Sequence, residues 1–376
     1  MTPQPHGSSR LLALDVLRGV TMAAMVIVNN PGDWGNVYAP LLHAPWHGWT
    51  MTDLIFPFFL FIVGVSLTLS RRSLGPWGPI ARRALLIFAL GLFLAGYPRF
   101  DVVRWRIPGV LQRIALCYLA AAVIYKLTAF EGPRRLVRQA AVMASIALVL
   151  MLGYWAAMTL VPVPGGQAGD LTPDGNLAAF VDRALMSGHL WKPTWDPEGL
   201  LSTLPAIATT LLGVLAGLWI TASVAKPVRG VAPLLAAGLV GVIVGELWGL
   251  AFPINKNLWT SSYVMFTAGK ASIYLAVLIW VIDVRGWRGW TRPFVILGTN
   301  AITLFVLSGL FVKTLSLIRV PRGDAGRVAL SRYLYELLYV PLAAPKNASL
   351  LYALTHLVLL FALLAWMYRR RVFLRV

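Results

Sequence analysis

Apolar residues along this chain run in long blocks separated by charged or Pro/Gly-rich breaks. The blocks cover residues 12–30, 52–70, 80–97, 107–125, 140–161, 200–222, 231–252, 261–282, 293–316 and 349–368. About 20 residues of helix are needed to cross about 30 Å of hydrocarbon, so each block is long enough to span a bilayer. The pattern predicts an all-α polytopic transmembrane helix bundle of about ten spans, or eleven if residues 317–348 conceal another. The block at 80–97 is the shortest. Residues 1–376 read as a single domain, with outer loops at 31–51 and 162–198, and no internal repeat of the kind many secondary transporters carry is visible.

Composition identifies the solvent. Hydrophobic residues make up 58% of the chain and charged residues 12%, a balance that one soluble core cannot bury. Because the apolar blocks recur along the whole length, no cleavable signal peptide is expected. A formal charge of +19 would point to nucleic acid in a soluble protein. Here the basic residues fall in short clusters between apolar blocks, where they act as topological anchors, and nucleic acid is excluded as a partner. Arg10, Arg71, Arg72, Arg82, Arg83, Lys126, Arg134, Arg135, Arg138, Lys226, Arg229, Arg285, Arg288, Arg292, Arg369, Arg370, Arg371 and Arg375 fall on one side. The positive-inside rule makes that side cytoplasmic, with both termini on it and an even number of spans. Arg319, Arg322, Arg327, Arg332 and Lys346 dissent, since they load an outer loop and suggest a re-entrant segment or a miscounted helix. The single cysteine, Cys117, lies inside a block, so an intrachain disulfide, a Cys-rich metal site or a CxxC pair is ruled out and a core role is expected.

Candidate chemistry concentrates in the first outer loop. Residues 31–51 hold no Lys or Arg, yet carry His43, His47, Asp33, Asn36 and three tryptophans. Asn29 closes the first block and Asp53 opens the second, so both can converge on the loop. A histidine is the usual general base near neutral pH, a carboxylate fixes its tautomer, and an amide donates to a developing oxyanion. An interfacial histidine beside a tryptophan belt is the competing reading. A zinc site at His43 and His47 is disfavoured by Pro45 and the missing third ligand. His6 lies in a tail, His189 beside Trp191 reads as loop packing or as part of a carbohydrate-stacking surface, and His356 reads as an interhelical residue. Asp15 and Arg18 form either a helix-end ion pair or a substrate-facing arginine. Arg113, Glu246, Lys270 and Asn300 interrupt blocks and imply a polar interior. Residues 253–263, Pro-Ile-Asn-Lys-Asn-Leu-Trp-Thr-Ser-Ser-Tyr, suit hydrogen bonding and stacking on a sugar or nucleotide, or else form a polar turn with an interfacial tryptophan. No P-loop, GxGxxG, GxSxG or HExxH occurs, which leaves membrane-embedded catalysis or transport.

The segments LDVLRG, MVIVNNPG, HAPWHGWTMTDLIFPFFLFIVG, RIPGVLQRIALCY, DPEGLLSTLPAIATTLLG, PINKNLWTSSY and GTNAI occur in that order along nearly the whole chain. Together they resemble the heparan-α-glucosaminide N-acetyltransferase family and its bacterial relatives. The resemblance implies an enzyme that moves acetyl from cytosolic acetyl-CoA to the amino group of a glucosamine across the membrane. Its active histidine falls on His43, its asparagine on Asn29 and its aspartate on Asp53. The animal enzymes place asparagine where this chain has His47 and carry an additional luminal domain that this chain lacks. The expected acceptor is therefore a small amino sugar, muropeptide-type sugar or surface glycan, met at a bacterial inner membrane. Arg18, Arg113 and Lys256 are the candidates for coenzyme A phosphates, and His47, Trp46, Asn257, Trp259 and Glu198 for the acceptor. Acetyl-CoA is expected as co-substrate with no metal. Acceptor and membrane lipid are the expected partners, with a homodimer left open. Direct transfer and a covalent acetyl-imidazole both remain open, and a transporter of N-acetylglucosamine or related amino sugars is the alternative function.

Overall fold

The computed structural model describes residues 11–132, 134–223, 227–322 and 326–374. His6, Arg10, Lys226 and Arg375 lie outside the described residues. The helices are α1 (Leu12–Asn29), α2 (Ile55–Leu69), α3 (Trp77–Gly96), α4 (Val110–Leu127), α5 (Arg135–Leu160), α6 (Leu177–Met186), α7 (Thr203–Ala222), α8 (Pro227–Gly249), α9 (Ser261–Leu278), α10 (Arg292–Thr299), α11 (Ala301–Leu317), α12 (Leu330–Leu338) and α13 (Pro345–Arg369). Two three-residue strands, β1 (Arg319–Pro321) and β2 (Arg327–Ala329), pair antiparallel with Val320 opposite Val328. The expected all-α polytopic bundle is what the chain forms.

Nine helices among the described residues are long and apolar enough to cross a membrane, and a tenth span forms if α10 and α11 are taken together. Helices α1, α2, α4, α7 and α9 are buried over more than half of their apolar windows, whereas α3, α5 and α8 leave most of theirs exposed. The outer helices therefore present leucine and valine to lipid, and the inner ones enclose the polar groups. Close backbone approach holds the centre together. A Cβ at Gly64 of α2 would lie 2.0 Å from the Thr210 carbonyl oxygen, and one at Gly213 of α7 would lie 2.1 Å from that of Phe61. Small residues at reciprocal positions let the two helices meet at backbone distance.

Two expectations need revision. The block at 293–316 is not one straight span, because α10 and α11 meet at 78°. The break falls at Asn300, which is 2% exposed. Its side chain is spent on the C-terminal tail, donating to the Val372 carbonyl at 3.4 Å and accepting from the Leu374 amide at 3.2 Å. Among the described residues the basic segment 317–348 holds no eleventh span. It folds as the β1–β2 hairpin and α12, whose nine residues extend only about 14 Å. The ring of Tyr335 fills the space beside Gly32, just beyond the end of α1.

Candidate active site

The site begins with a helix start. Thr50 and Asp53 form a reciprocal cap on the short 3₁₀ turn Met51–Leu54 that leads into α2. Asp53 Oδ2 accepts from the Thr50 amide at 2.9 Å, the Thr50 hydroxyl at 3.1 Å and the Ala44 amide at 3.0 Å. Its other oxygen, Oδ1, lies 2.6 Å from His43 Nδ1. Asp53 is 1% exposed and the His43 side chain 48%. One buried carboxylate thus caps a helix, ties down the preceding loop and grips an open imidazole. Because a carboxylate only accepts, Nδ1 carries the proton and Nε2 the lone pair.

Lys256 completes this group. Its Nζ lies 3.2 Å from both ring nitrogens of His43. An in-plane position that far from both would collide with Cε1, so the amine sits over the ring face and leaves the in-plane lone pair of Nε2 open. Burial lowers the Lys256 ammonium from its ordinary range, against the opposing pull of Glu198 and Asp53.

Residues 253–263 fold into the hydrogen-bonded turn that carries that lysine. Asn255 accepts from the Leu258 amide through Oδ1 at 2.9 Å and donates its own amide to Thr260 Oγ1 at 3.0 Å. Ser261 donates to the Met151 carbonyl at 2.7 Å, and Tyr154 to that of Leu258 at 2.6 Å, pinning the turn to α5. Tyr263 reaches the Asp53 carbonyl at 2.5 Å. Trp259 adopts φ +52, a left-handed conformation that costs a tryptophan about 1–3 kcal/mol and turns its ring inward. The ring is 1% exposed, donates to Thr209 and lies under the Arg113 guanidinium at 5.2 Å. Trp259 is therefore core and does not present a stacking face to a sugar.

A cavity of about 680 Å³, open mouth included, runs inward from these groups. Thr21, Asn29, His43, Thr52, Glu198 and Lys256 supply its polar lining, and Met22, Met25, Phe56, Phe59, Ile114 and Phe305 are among its apolar wall. From Asn29 to Thr21 it follows α1 for about 12 Å at 1.5 Å per residue. Asn29 is exposed at the end of α1.

Glu198 is set by an arginine clamp. Arg106 Nε and Nη2 hold both oxygens of Asp196 at 2.8 and 2.7 Å, and Nη2 also donates to Glu198 Oε2 at 2.5 Å. Burial works against the Arg106 charge, but the bonds to Asp196 and the charge of Glu198 outweigh it and hold the guanidinium above its ordinary value. Behind the clamp, buried Asp182 accepts from the Leu200 amide at 2.8 Å, and burial pushes its carboxyl up to about 6.

The structure thus brings together His43, Asp53, Asn29, Lys256 and Glu198. It does not gather the three cations expected for coenzyme A phosphates. Arg18 donates to Asp15 and Ser66. Arg113 is 1% exposed and donates to the Gly199 carbonyl and Ser202. Lys256 belongs to the histidine. His47 lies outside the cavity lining, 3.3 Å from the Asn255 amide and edge-on to Trp46. Trp46 stacks edge-on against Trp195 and donates to Leu171 at 2.8 Å, and Asn257 is partly buried away from the lining. Among the described residues no group of three metal-ligating side chains occurs.

Residues 10–243 match the family profile described as heparan-alpha-glucosaminide N-acetyltransferase, catalytic. The human heparan-alpha-glucosaminide N-acetyltransferase is 32% identical over 79% of this chain and 52% of its own length. The mouse protein of that name is 30% identical over 81% of this chain and 54% of its own. The chain therefore spans about half the length of these relatives. The profile match covers well over half of the 376 residues and contains His43, Asp53 and Glu198. This chain belongs to the heparan-α-glucosaminide N-acetyltransferase catalytic family.

Proposed function

We propose that the protein is a membrane-embedded N-acetyltransferase that moves acetyl from acetyl-CoA to the amino group of a glucosamine-type sugar across a bacterial inner membrane. The donor approaches from the cytoplasmic face, where both termini lie, and the acceptor from the periplasm. One observation supports this above the rest: a half-open imidazole, its Nδ1 held by buried Asp53, stands at the polar mouth of an apolar cavity that leads into the bundle. Such a channel suits the uncharged arm of a thioester, while the phosphates of coenzyme A remain at the far face.

In this reading the thioester carbonyl lies between His43 and Asn29. His43 Nε2 accepts a proton from the acceptor nitrogen as that nitrogen attacks the carbonyl carbon. Asn29 and the Lys256 ammonium donate to the tetrahedral oxyanion. The C–S bond then breaks, and the proton on His43 passes to the departing sulfur, so coenzyme A leaves as its thiol. Asp53 keeps the imidazole in the one tautomer that leaves Nε2 basic. A covalent acetyl-imidazole would use the same nitrogen as nucleophile and shows itself as a burst of free coenzyme A before any acceptor is added.

The test is incubation of purified protein with labelled acetyl-CoA and a panel of amino sugars. Labelled N-acetyl product with stoichiometric free coenzyme A is the expected result. Uptake of labelled N-acetylglucosamine into donor-free proteoliposomes, with no transfer to any acceptor, would replace this function with transport.

A further inference from the structure

We infer that Glu198 is the group that reads the acceptor as an amine, binding its ammonium through Oε1 and removing the first of the two protons that nitrogen must lose. This deepens the function proposed above and rests on it. Among the described residues Glu198 is the one acidic side chain in the cavity lining, which it shares with Asn29, His43 and Lys256.

Its charge is only partly met. Arg106 divides one positive charge between two carboxylates, and the Asp196 side chain, 0% exposed and held through both oxygens, has the stronger grip. Glu198 receives a single bond, at Oε2. Oε1 makes no hydrogen bond among the described residues, although the side chain is only 7% exposed. An enclosed carboxylate with one bare oxygen is stabilised by any cation that reaches it. The other cations facing Glu198 are Arg113 and Lys256. Arg113 spends Nη2 on Gly199 and Ser202 behind the wall, and Lys256 lies against His43. The site is also rigid. Asp196 accepts from the amides of Trp191 and Glu198 at 2.7 and 2.9 Å, fixing the turn that carries the glutamate.

The reaction needs such a group. An amino sugar arrives largely as its ammonium, which has no lone pair and cannot attack, whereas a hydroxyl acceptor arrives neutral. One proton must leave before the C–N bond forms and a second as the C–S bond breaks. His43 offers a single free nitrogen, and its proton ends on the departing sulfur. Glu198 takes the earlier proton and returns it to water at the open mouth. Ammonium and acetyl thioester thus become amide, thiol and one released proton.

The experiment measures kcat and KM for glucosamine with the full chain in nanodiscs and labelled acetyl-CoA, from about pH 6 to about pH 9. Glu198→Gln should raise KM about tenfold or more, and that KM should fall steeply as rising pH supplies free amine. Glu198→Asp should restore part of the loss. In the unaltered protein, glucosamine should compete at least about tenfold better than its 2-hydroxy analogue, a comparison that stands even if Glu198→Gln fails to fold. Unchanged KM and pH profile in Glu198→Gln, or equal competition by the two sugars, overturns the role of Glu198 while leaving acetyl transfer intact. Absence of any N-acetyl product from the unaltered protein overturns this inference and the proposed function together.

Discussion

Asp53 does two jobs with one carboxylate, and its variants should separate them. Asp53→Asn keeps an acceptor oxygen but puts an NH₂ where Oδ2 receives the Thr50 and Ala44 amides. Turnover should fall because the imidazolium loses the negative charge beside it, and the cap should weaken by about 1 kcal/mol, seen as a lower melting temperature. His47→Asn should change turnover less than threefold, because His47 touches Asn255 and Trp46 and not the cavity. A loss at His47 larger than that at Asp53, measured as kcat, would point to the wrong imidazole. Lys256 gives a pH test. Its charge is lost as pH rises through a value lowered by burial, so the alkaline limb of kcat should fall below the ordinary lysine range of about 10.4. Lys256→Arg should move that limb upward, and Lys256→Ala should cost about 10²–10³ in kcat, the usual loss for one oxyanion donor. The His43–Asp53 pair is legible in the sequence because ten residues and a Thr-x-x-Asp cap connect its members. The lysine is not, since 213 residues separate it from the histidine and only the packing of α9 against α2 and α5 closes that gap.

At the scale of elements, the polar run at 253–263 shows how composition misleads. Asn255, Thr260, Ser261 and Ser262 are each 0% exposed and bond to the turn itself or to α5. A stretch that reads as a sugar-binding surface is a knot, because a left-handed residue at Trp259 folds its polar groups inward. The broken span is hidden for a similar reason: Asn300 finds its partners 72 and 74 residues downstream, beyond any local pattern. Helix α6 carries a pH signature through Asp182. An aspartate whose pKa is raised on folding binds its proton more tightly folded than unfolded. Its contribution is greatest below about 3.9 and declines until pH passes about 6. Asp182→Asn removes that decline. Between about pH 4 and pH 6.5 the unaltered protein should lose several degrees of melting temperature relative to the variant. Parallel curves would show that Asp182 does not titrate there.

Across the whole molecule, the segments bearing Asn29, His43, Glu198 and Lys256 gather around one cavity mouth, and Lys126 ties to the Gly75 carbonyl at 2.7 Å among the loops between the other helix ends. With α10 and α11 counted as one span, the alternation returns both termini to the same side. Reporters after Val376 and near Arg71 should both read cytoplasmic, and one near Ala39 periplasmic. Agreement of the Ala39 and Arg71 reporters would break the alternation at its first step. The span number is legible because lipid imposes a simple length rule. The basic hairpin and α12 escape that rule, since a nine-residue helix packed through Tyr335 onto Gly32 is set by tertiary contact.

On the proposed mechanism His43 Nε2 moves the acceptor proton during acetyl transfer. Its most direct test is single-turnover transfer from labelled acetyl-CoA to glucosamine by unaltered protein and His43→Ala, with donor binding measured on the same samples. His43→Ala should bind acetyl-CoA as the unaltered protein does and lose about 10²–10⁴ in the rate of N-acetyl product. Transfer at an undiminished rate in His43→Ala, with donor binding intact, would remove His43 from the proton transfer.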